Sequence, residues 1–570
     1  MLLAVLVGFC SGVAAVILKT GVKLIEELLT SWFSTPYHDI LYLIYPGIGM
    51  LIALLLVRYV VKDNLSHGIT KILYSISRKN SKLSGKTIWG PILASIVTIG
   101  FGGSVGAEAP IVHSGASIGS VIAQKFKLNY RQITLLLACG AAGSIAGIFK
   151  APLAGIIFTI EILMFDFTLS SITPLLISSV TAICVSYFLI GNNLEFAASV
   201  VEFQMSNIVY YIVLGIICGF MSLYFFKVSL GLEARIGKIA NPFKRLAICA
   251  SCLGLLIFIF PPLHGEGYGS LTMMLNNEID ASYSHTLDSY LGSNTKLFIP
   301  IFWMMVMFCK VLSMSLTNAG GGVGGTFGPT LFVGGTCGFV MSRFVNLTGF
   351  ISLPEANFTL AGMGGLMAGI MHAPMTGIFL IAEITGGYEL MIPLIITVSI
   401  SYIISKSFEK NSLYTKRLAM SGDLITHNKD QAVLTLLNLD KVIEKDLDTI
   451  YPTDSLRYMT EVVSNSRRNL FPVINADGYF MGMLYLDDIR NIMFDYSKYD
   501  KVFIKELMHT DDIITISNED NMEQVMSKFE YSNAWNLPVV DKYGKYVGMV
   551  SKSKMFSAYR EQLLEVTEDA

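Results

Sequence analysis

Residues 100–110 read GFGGSVGAEAP, and this stretch decides how the chain is interpreted. It contains four glycines followed by Glu108 and Pro110, within sequence that is otherwise apolar. Glycine leaves backbone N–H groups open to a ligand, and a helix that begins near Pro110 would direct the positive end of its dipole at the loop. Such a loop binds anions without Lys or Arg. We therefore predict an anion site in which ionised Glu108 competes with a soluble anion and leaves when protonated.

The glycine loop recurs further along the chain. Gly102–Gly106 resembles Gly320–Gly324 at an offset of 218, and residues 146–162 match 368–384 at 9 of 17 positions, at an offset of 222. Two repeated motifs in the same order indicate a duplication. Segments that Gly or Pro interrupts at matching places of the two halves point to a binding site between the halves. Glycine runs also permit close helix packing around a merely buried Glu108, but the recurrence favours the anion site. The second loop, NAGGGVGGTFGP, lacks the acid, so only one half carries a gate.

The charged residues are distributed unevenly. Residues 421–570 hold 25 acidic and 16 basic side chains, which leaves 18 acidic and 25 basic side chains for residues 1–420. The chain is 53% hydrophobic, its mean hydropathy is +0.57, and eleven apolar runs precede the tail. This pattern joins a membrane domain to a water-soluble domain and excludes a typical soluble enzyme. The net charge of −2 results because the opposite net charges of the two parts nearly cancel, and it gives no reason to expect a nucleic-acid partner.

The first apolar run could be mistaken for a secretory signal. Residues 2–18 lack a positive leading region and a small-residue cleavage site, so we interpret them as the first membrane helix. Several runs are interrupted by Gly or Pro, among them 132–163 and 358–385, and broken helices of this kind point to a transporter or channel rather than a simple anchor. The predicted membrane domain covers residues 1–417, with halves at about 1–205 and 206–417.

The tail repeats itself with a period of 66 residues. Phe471-Pro472-Val473 and Leu537-Pro538-Val539 are 66 apart, and so are Gly478 and Gly544. Each copy has the pattern of helix, apolar strand, glycine turn and second apolar strand. Residues 418–570 are therefore predicted to hold an α/β unit used twice, at about 440–495 and 503–562.

These motifs resemble those of a known family. GGSVGAEAP and GGTFGP resemble the two glycine loops of the CLC family of chloride channels and proton/chloride exchangers, and the tail resembles the paired CBS domains of many members. The resemblance implies an all-α membrane domain of two inverted repeats with broken helices, followed by an α/β tandem CBS domain. It also implies chloride as ligand, protons as a second substrate in some members, and a homodimer in the lipid bilayer with one pore per subunit.

The resemblance also assigns site residues. Glu108 matches the gating glutamate, and Tyr414 matches the pore tyrosine. The remaining anion-binding positions that it implies are His67, Gly68 and Ile69 in the first loop, Gly106, Ala107 and Ala109 beside the gate, and Gly325, Thr326, Phe327 and Gly328 in the second half. The first loop, SHGIT at 66–70, has histidine where a serine is common, and a loop histidine that faces water is the alternative for His67.

Proton coupling is left open by the sequence. Glu161 aligns with the first of two acids found in coupled members, and Ile162 stands where the internal proton-transfer glutamate would be. This favours channel-like or weakly coupled chloride transport, because channels have an apolar residue there. An obligate exchanger, or a pore for another small anion such as fluoride or nitrate, remains the alternative. We interpret Glu161 and Glu383 as a structural pair, since both halves retain the acid.

The tail carries an incomplete nucleotide pattern. Tyr485 and Asp488 in one copy, and Ser551 in the other, stand near positions that hold adenosine nucleotides in some CBS pairs. No other cofactor and no metal are predicted. The absence of a cleavable signal and the attached soluble tail fit a plasma membrane or a bacterial inner membrane with the tail in the cytosol.

Two other classes of protein are alternatives to an anion-transport protein. An intramembrane metalloprotease needs His-Glu-x-x-His on a helix, and the nearest string, His264-Gly265-Glu266-Gly267, has the wrong order and no second histidine. A CBS-bearing magnesium transporter would concentrate acids near the membrane path, and the membrane domain is poor in them. An enzyme is therefore not expected.

Overall fold

The computed structural model describes most of the chain. It covers residues 1–31, 38–63, 65, 67–164, 169–191, 196, 200–280, 295–420, 439–511 and 513–567. The chain divides into two compact units, Met1–Leu424 and Ile425–Ala570, and each is described by itself. Ser66, the first residue of the predicted first loop, lies outside the described residues.

The membrane unit is helical. The helices of its first half are α1 Leu2–Ser31, α2 His38–Leu55 with a π turn at Leu56–Val61, α3 Gly68–Arg78, α4 Lys86–Gly100, α5 Glu108–Lys125, α6 Tyr130–Phe149, α7 Pro152–Ile162 and α8 Leu169–Ile190. Those of the second half are α9 Ile208–Gly237, α10 Pro242–Ile259, α11 Tyr268–Leu275, α12 Thr295–Gly320, α13 Phe327–Leu347, α14 Glu355–Met371, α15 Pro374–Ile384, α16 Met391–Phe408 and α17 Leu413–Met420. Within the described ranges, nine helices are long and apolar enough to cross a membrane. The all-α prediction for this unit is confirmed.

Two of the apolar runs are each divided into two helices, in keeping with the prediction of broken helices in the membrane domain. The run 132–163 is divided between α6 and α7 at Lys150, and the run 358–385 is divided between α14 and α15 at His372. Both residues adopt left-handed backbone conformations, with φ of 57° and 54°. A proline opens α7 and α15, and proline disfavours helical backbone in the residue before it. The two breaks lie 222 residues apart, as the sequence repeat does.

The two glycine loops meet in an antiparallel bridge. The N–H of Gly106 donates to the carbonyl of Gly325 at 3.0 Å, and the N–H of Gly325 donates to the carbonyl of Gly106 at 2.7 Å. Reciprocal bonds of this kind relate equivalent residues by a local two-fold axis. The structural offset is therefore 219, and the predicted offset of 218 was wrong by one residue. In the corrected register Phe327 is the counterpart of Glu108.

Two threonines tie the helices that precede the loops in the same reciprocal way. The hydroxyl oxygen of Thr98, on α4, accepts from the N–H of Val323 at 3.1 Å. The hydroxyl oxygen of Thr317, on α12, accepts from the N–H of Ser104 at 3.2 Å. The two threonines are also 219 residues apart, and all four residues are buried or nearly so. Each half thus satisfies a backbone donor of the other half's loop.

The tail holds the predicted α/β unit twice. Its elements are α18 Leu439–Val442, α19 Leu456–Asn465, β1 Leu470–Ile474, β2 Phe480–Tyr485, α20 Leu486–Ile489, α21 Ile504–Leu507, β3 Ile516–Ser517, α22 Met522–Ser532, β4 Asn536–Val540, β5 Tyr546–Ser551 and α23 Lys552–Thr567. β1 pairs antiparallel with β2, and β4 pairs antiparallel with β5. The turns contain Gly478 and Gly544 at φ of 84° and 86°, a conformation that favours glycine. The second copy adds β3, which runs parallel to β4.

Candidate functional site

Glu108 lies at the first residue of α5 and is buried, with 1% of its surface exposed. One carboxylate oxygen accepts a hydrogen bond from the backbone N–H of Gly328 at 3.2 Å. The other accepts from the hydroxyl of Tyr268. The carboxylate therefore bridges the N-terminal turns of α5 and α13, which belong to different halves. Helix N-termini carry partial positive charge and unpaired N–H groups, so this position is suited to an anion.

Most of the predicted second-half residues lie at this junction. A side chain at Gly325 would meet the methyl group of Ala109 at 2.8 Å, which explains the glycine there. Thr326 precedes α13, and its hydroxyl lies 3.1 Å from the buried hydroxyl of Tyr414. The ring of Phe327, in the place of Glu108, packs against the ring of Phe149, 5.5 Å away. The structure thus brings together Glu108, the second glycine loop and Tyr414.

The first loop lies beside the same junction, but its histidine has another neighbour. A side chain at Gly68 would meet the carbonyl of Ala109 at 3.1 Å, so the start of α3 packs against the first turn of α5. The ring of His67 lies 3.6 Å from the carboxylate of Glu233, which pairs with Arg417 at 2.7 Å. Gly68 and Ile69 are buried in this packing, whereas contact of His67 with an anion stays a prediction.

Two residues of the site were missed by sequence reasoning. Tyr268 donates to Glu108, and Glu266 accepts a hydrogen bond from the N–H of Ala107 at 2.7 Å. Both lie in the segment His264–Tyr268, about 160 residues from Glu108 along the chain. The sequence of this segment indicates only an incomplete metalloprotease motif. Glu266 has the same local sequence pattern as Glu108, an acid among glycines in an apolar region. This pattern identifies Glu266 as a candidate site residue.

A cavity of about 350 Å³ opens beside Glu108. Its walls come from α1, from the end of α6 and from the segment 261–270. They carry charge of both signs, from the side chains of Lys19, Lys23, Glu26, Glu108 and Glu266. The charged side chains and this volume give a small hydrated anion room to reach the N-terminus of α5.

The acid at the end of α7 has a structural partner. Glu161 accepts hydrogen bonds from the N–H groups of Met375 and Thr376, at 3.0 and 2.7 Å, at the start of α15. Its counterpart Glu383 accepts in the same way from Leu153 and Ala154, at 3.1 and 2.8 Å, at the start of α7. Each half therefore caps a helix of the other. Ile162, the next residue, is buried in the hydrophobic core, with 3% of its surface exposed.

The candidate nucleotide residues of the tail bind protein groups. Asp488 accepts from the backbone N–H of Tyr485 at 2.9 Å and lies 3.0 Å from the ring of His509. The hydroxyl of Ser551 donates to Glu444 at 2.9 Å. Adenosine nucleotide binding stays a prediction, and a nucleotide would have to replace these contacts. In the described part of the chain, no cluster of His, Cys, Asp or Glu could hold a metal ion.

The fold and the site define a class of protein: a duplicated helical membrane protein whose two glycine loops meet around a buried carboxylate. The family model described as voltage gated chloride channel matches residues 48–406, which is more than half of the chain, and the CBS domain model matches residues 504–561. The chain therefore belongs to the CLC family of chloride transport proteins and carries a C-terminal CBS domain. Members of this family are channels or transporters, which confirms the prediction that the chain is not an enzyme.

Relatives of both kinds are similar to this chain. The H(+)/Cl(−) exchange transporter ClcA of Vibrio cholerae is 26% identical over 439 residues, which span 73% of this chain and 88% of the relative. The voltage-gated ClC-type chloride channel ClcB of Salmonella dublin is 27% identical over 441 residues, which span 74% and 99%. The crystal structure of a slow cyanobacterial Cl⁻/H⁺ antiporter has the same fold, with a TM-score of 0.62 at 22% identity, over 74% of this chain and 97% of that one.

Proposed function

We propose that the chain is a chloride pore gated by Glu108, which works as a homodimer with one pore in each subunit. The observation that carries the proposal is the position of the Glu108 carboxylate on the N–H of Gly328, at 3.2 Å, where the two glycine loops meet. The carboxylate oxygens occupy the place in which a chloride ion would be held. Chloride needs N–H and O–H donors, and this junction supplies them from backbone and from tyrosine hydroxyls.

Gating follows from the charge of Glu108. When ionised, the carboxylate holds the donors and keeps chloride out, because both are anions that compete for the same groups. When protonated, it loses the charge that makes these hydrogen bonds strong, and it turns toward the adjoining cavity. Chloride then takes its place, with the hydroxyl of Tyr414 as a further donor on the path, 3.1 Å from Thr326.

We further propose channel-like or weakly coupled transport. Ile162 supports this, since it is a buried apolar side chain at the position of the internal proton acid. Glu161 does not replace that acid in the proposal, because its oxygens cap α15. Obligate proton/chloride exchange is the second candidate, and it is favoured by the similarity to an exchange transporter.

The membrane and the orientation belong to the same proposal. We place the protein in a plasma membrane or a bacterial inner membrane, with the CBS pair in the cytosol. The nine candidate spans among the described residues make it an integral membrane protein in either case.

Flux measurements in proteoliposomes test the proposal. The purified protein should carry chloride, and the reversal potential should follow the chloride gradient alone when the pH gradient is varied. A reversal potential that moves with the pH gradient would establish the exchanger instead. Larger flux of nitrate or fluoride than of chloride under the same gradient would contradict chloride as the principal anion.

A further inference from the structure

A second carboxylate accepts a hydrogen bond from a backbone N–H at the N-terminus of α5, the helix on which Glu108 lies. The N–H of Ala107, directly before α5, donates to a carboxylate oxygen of Glu266 at 2.7 Å. Glu108 meanwhile turns toward the N-terminus of α13, where it accepts from Gly328. The donors around the junction are thus shared between two acids, and both acids line the same cavity.

The segment that carries Glu266 is fixed to the glycine loop. Gly265 and Gly267 flank Glu266 at φ of 59° and 90°, left-handed backbone conformations that favour glycine. The N–H of Gly265 donates to the carbonyl of Gly102 at 3.2 Å. Two residues after Glu266, the hydroxyl of Tyr268 reaches Glu108. One short segment therefore contacts both the donor of Ala107 and the gate.

A buried lysine on α12 anchors the segment that carries Glu266. Lys310, on α12, is fully buried and donates to the carbonyl of Gly265 at 2.8 Å. Lys310 also interacts electrostatically with Glu266, so Glu266 has a counter-ion role as well. Neutralising Lys310 does not require a bond to Ala107, however. The hydrogen bond of Glu266 to that N–H is the feature that a counter-ion role leaves unexplained.

We propose that Glu266 is a second gating carboxylate, which competes with the permeating anion for the N–H of Ala107. The inference rests on the proposed chloride pore. An anion that arrives through the cavity must displace Glu266 from Ala107 as well as Glu108 from Gly328. Because the segment is anchored by Lys310 and Gly102, Glu266 sets how tightly the vacated site binds chloride, while Glu108 sets when it opens.

Chloride binding to the purified full-length protein tests this inference by titration calorimetry. Glu266→Gln removes the charge of the competitor, so chloride should bind about tenfold more tightly, the value of one charge-assisted hydrogen bond. Glu26→Gln is the matched control, since it removes one negative charge from the wall of the same cavity and should change the affinity by less than about twofold.

A third variant separates competition from charge balance. Glu266→Asp keeps the negative charge for Lys310 but is one methylene too short to reach Ala107, so it should tighten chloride binding as Glu266→Gln does. Wild-type affinity in Glu266→Asp, or equal affinities in Glu266→Gln and Glu26→Gln, would overturn the inference. If neither the wild type nor Glu108→Gln binds or carries chloride, it is the proposed function that fails.

Discussion

At the scale of single residues, the site includes donors that carry no formal charge. Glu108 accepts hydrogen bonds from a backbone N–H and from a tyrosine hydroxyl. Hydrogen bonds from such neutral donors are weaker than those from charged groups, so these donors can release an anion as well as hold it. These contacts therefore allow an anion both to occupy this junction and to leave it.

Tyr268→Phe tests the donor that the sequence did not reveal. Its hydroxyl stabilises the ionised form of Glu108, so its loss should let Glu108 become protonated at higher pH. We expect the pH at which chloride flux is half-maximal to rise by about one unit. Flux against pH in proteoliposomes measures this shift. Thr272→Val, which removes a hydroxyl one turn further along α11, is the control, and an unchanged midpoint in Tyr268→Phe would contradict the assignment.

The meeting of the glycine loops around Glu108 could be predicted from the sequence, because close backbone approach and an isolated acid leave clear local signals. The partners of the gate could not. Tyr268 and Glu266 reach α5 from a segment about 160 residues away, and their contacts depend on tertiary packing. The one-residue error in the offset has a similar origin, since the register of the two loops is revealed by tertiary hydrogen bonds, those between Gly106 and Gly325 and those that two threonine hydroxyls accept.

At the scale of elements, the two halves hold each other through reciprocal helix caps. Glu161 caps α15, and Glu383 caps α7, so each carboxylate satisfies two N–H groups that the helix itself cannot pair. The broken helices that the sequence repeat shares thus begin at ends that are capped by a carboxylate from the other half. The sequence marks the region of each break, because a proline follows Lys150 and His372 two residues later, but only the structure shows the left-handed backbone at both residues.

The caps predict matched losses of stability in Glu161→Gln and Glu383→Gln. Each variant replaces a charged acceptor at a helix N-terminus with a neutral one and should lower the free energy of unfolding by about 1 kcal/mol. Thermal unfolding in detergent measures this loss. Neither variant should change the reversal potential under a pH gradient. A change confined to Glu161→Gln would contradict the structural role and restore a part in proton transfer.

At the scale of the whole molecule, the chain contains two duplications of different period. The membrane unit repeats at an offset near 220 residues, and the tail repeats at 66, with separate hydrophobic cores in its two copies. Every residue assigned to the anion path lies in the first unit, Met1–Leu424. The tail contributes none of the residues that are proposed to hold chloride.

This division predicts that residues 1–424 carry chloride on their own. The truncated protein should show flux per mole within about threefold of the full chain, since all donors of the site are retained. Its helical content and its elution as a folded species provide the control for integrity. A folded fragment without chloride flux would show that the tail is needed for conduction.

The most direct test of the central claim is the pH dependence of chloride flux in Glu108→Gln. The amide cannot ionise, so it cannot compete with chloride as an anion, whatever the pH. The account predicts that wild-type flux rises as the pH falls, whereas Glu108→Gln carries chloride at every pH with no such rise. Flux in Glu108→Gln that remains gated by pH, or wild-type flux without pH dependence, would contradict the assignment of Glu108 as the gate.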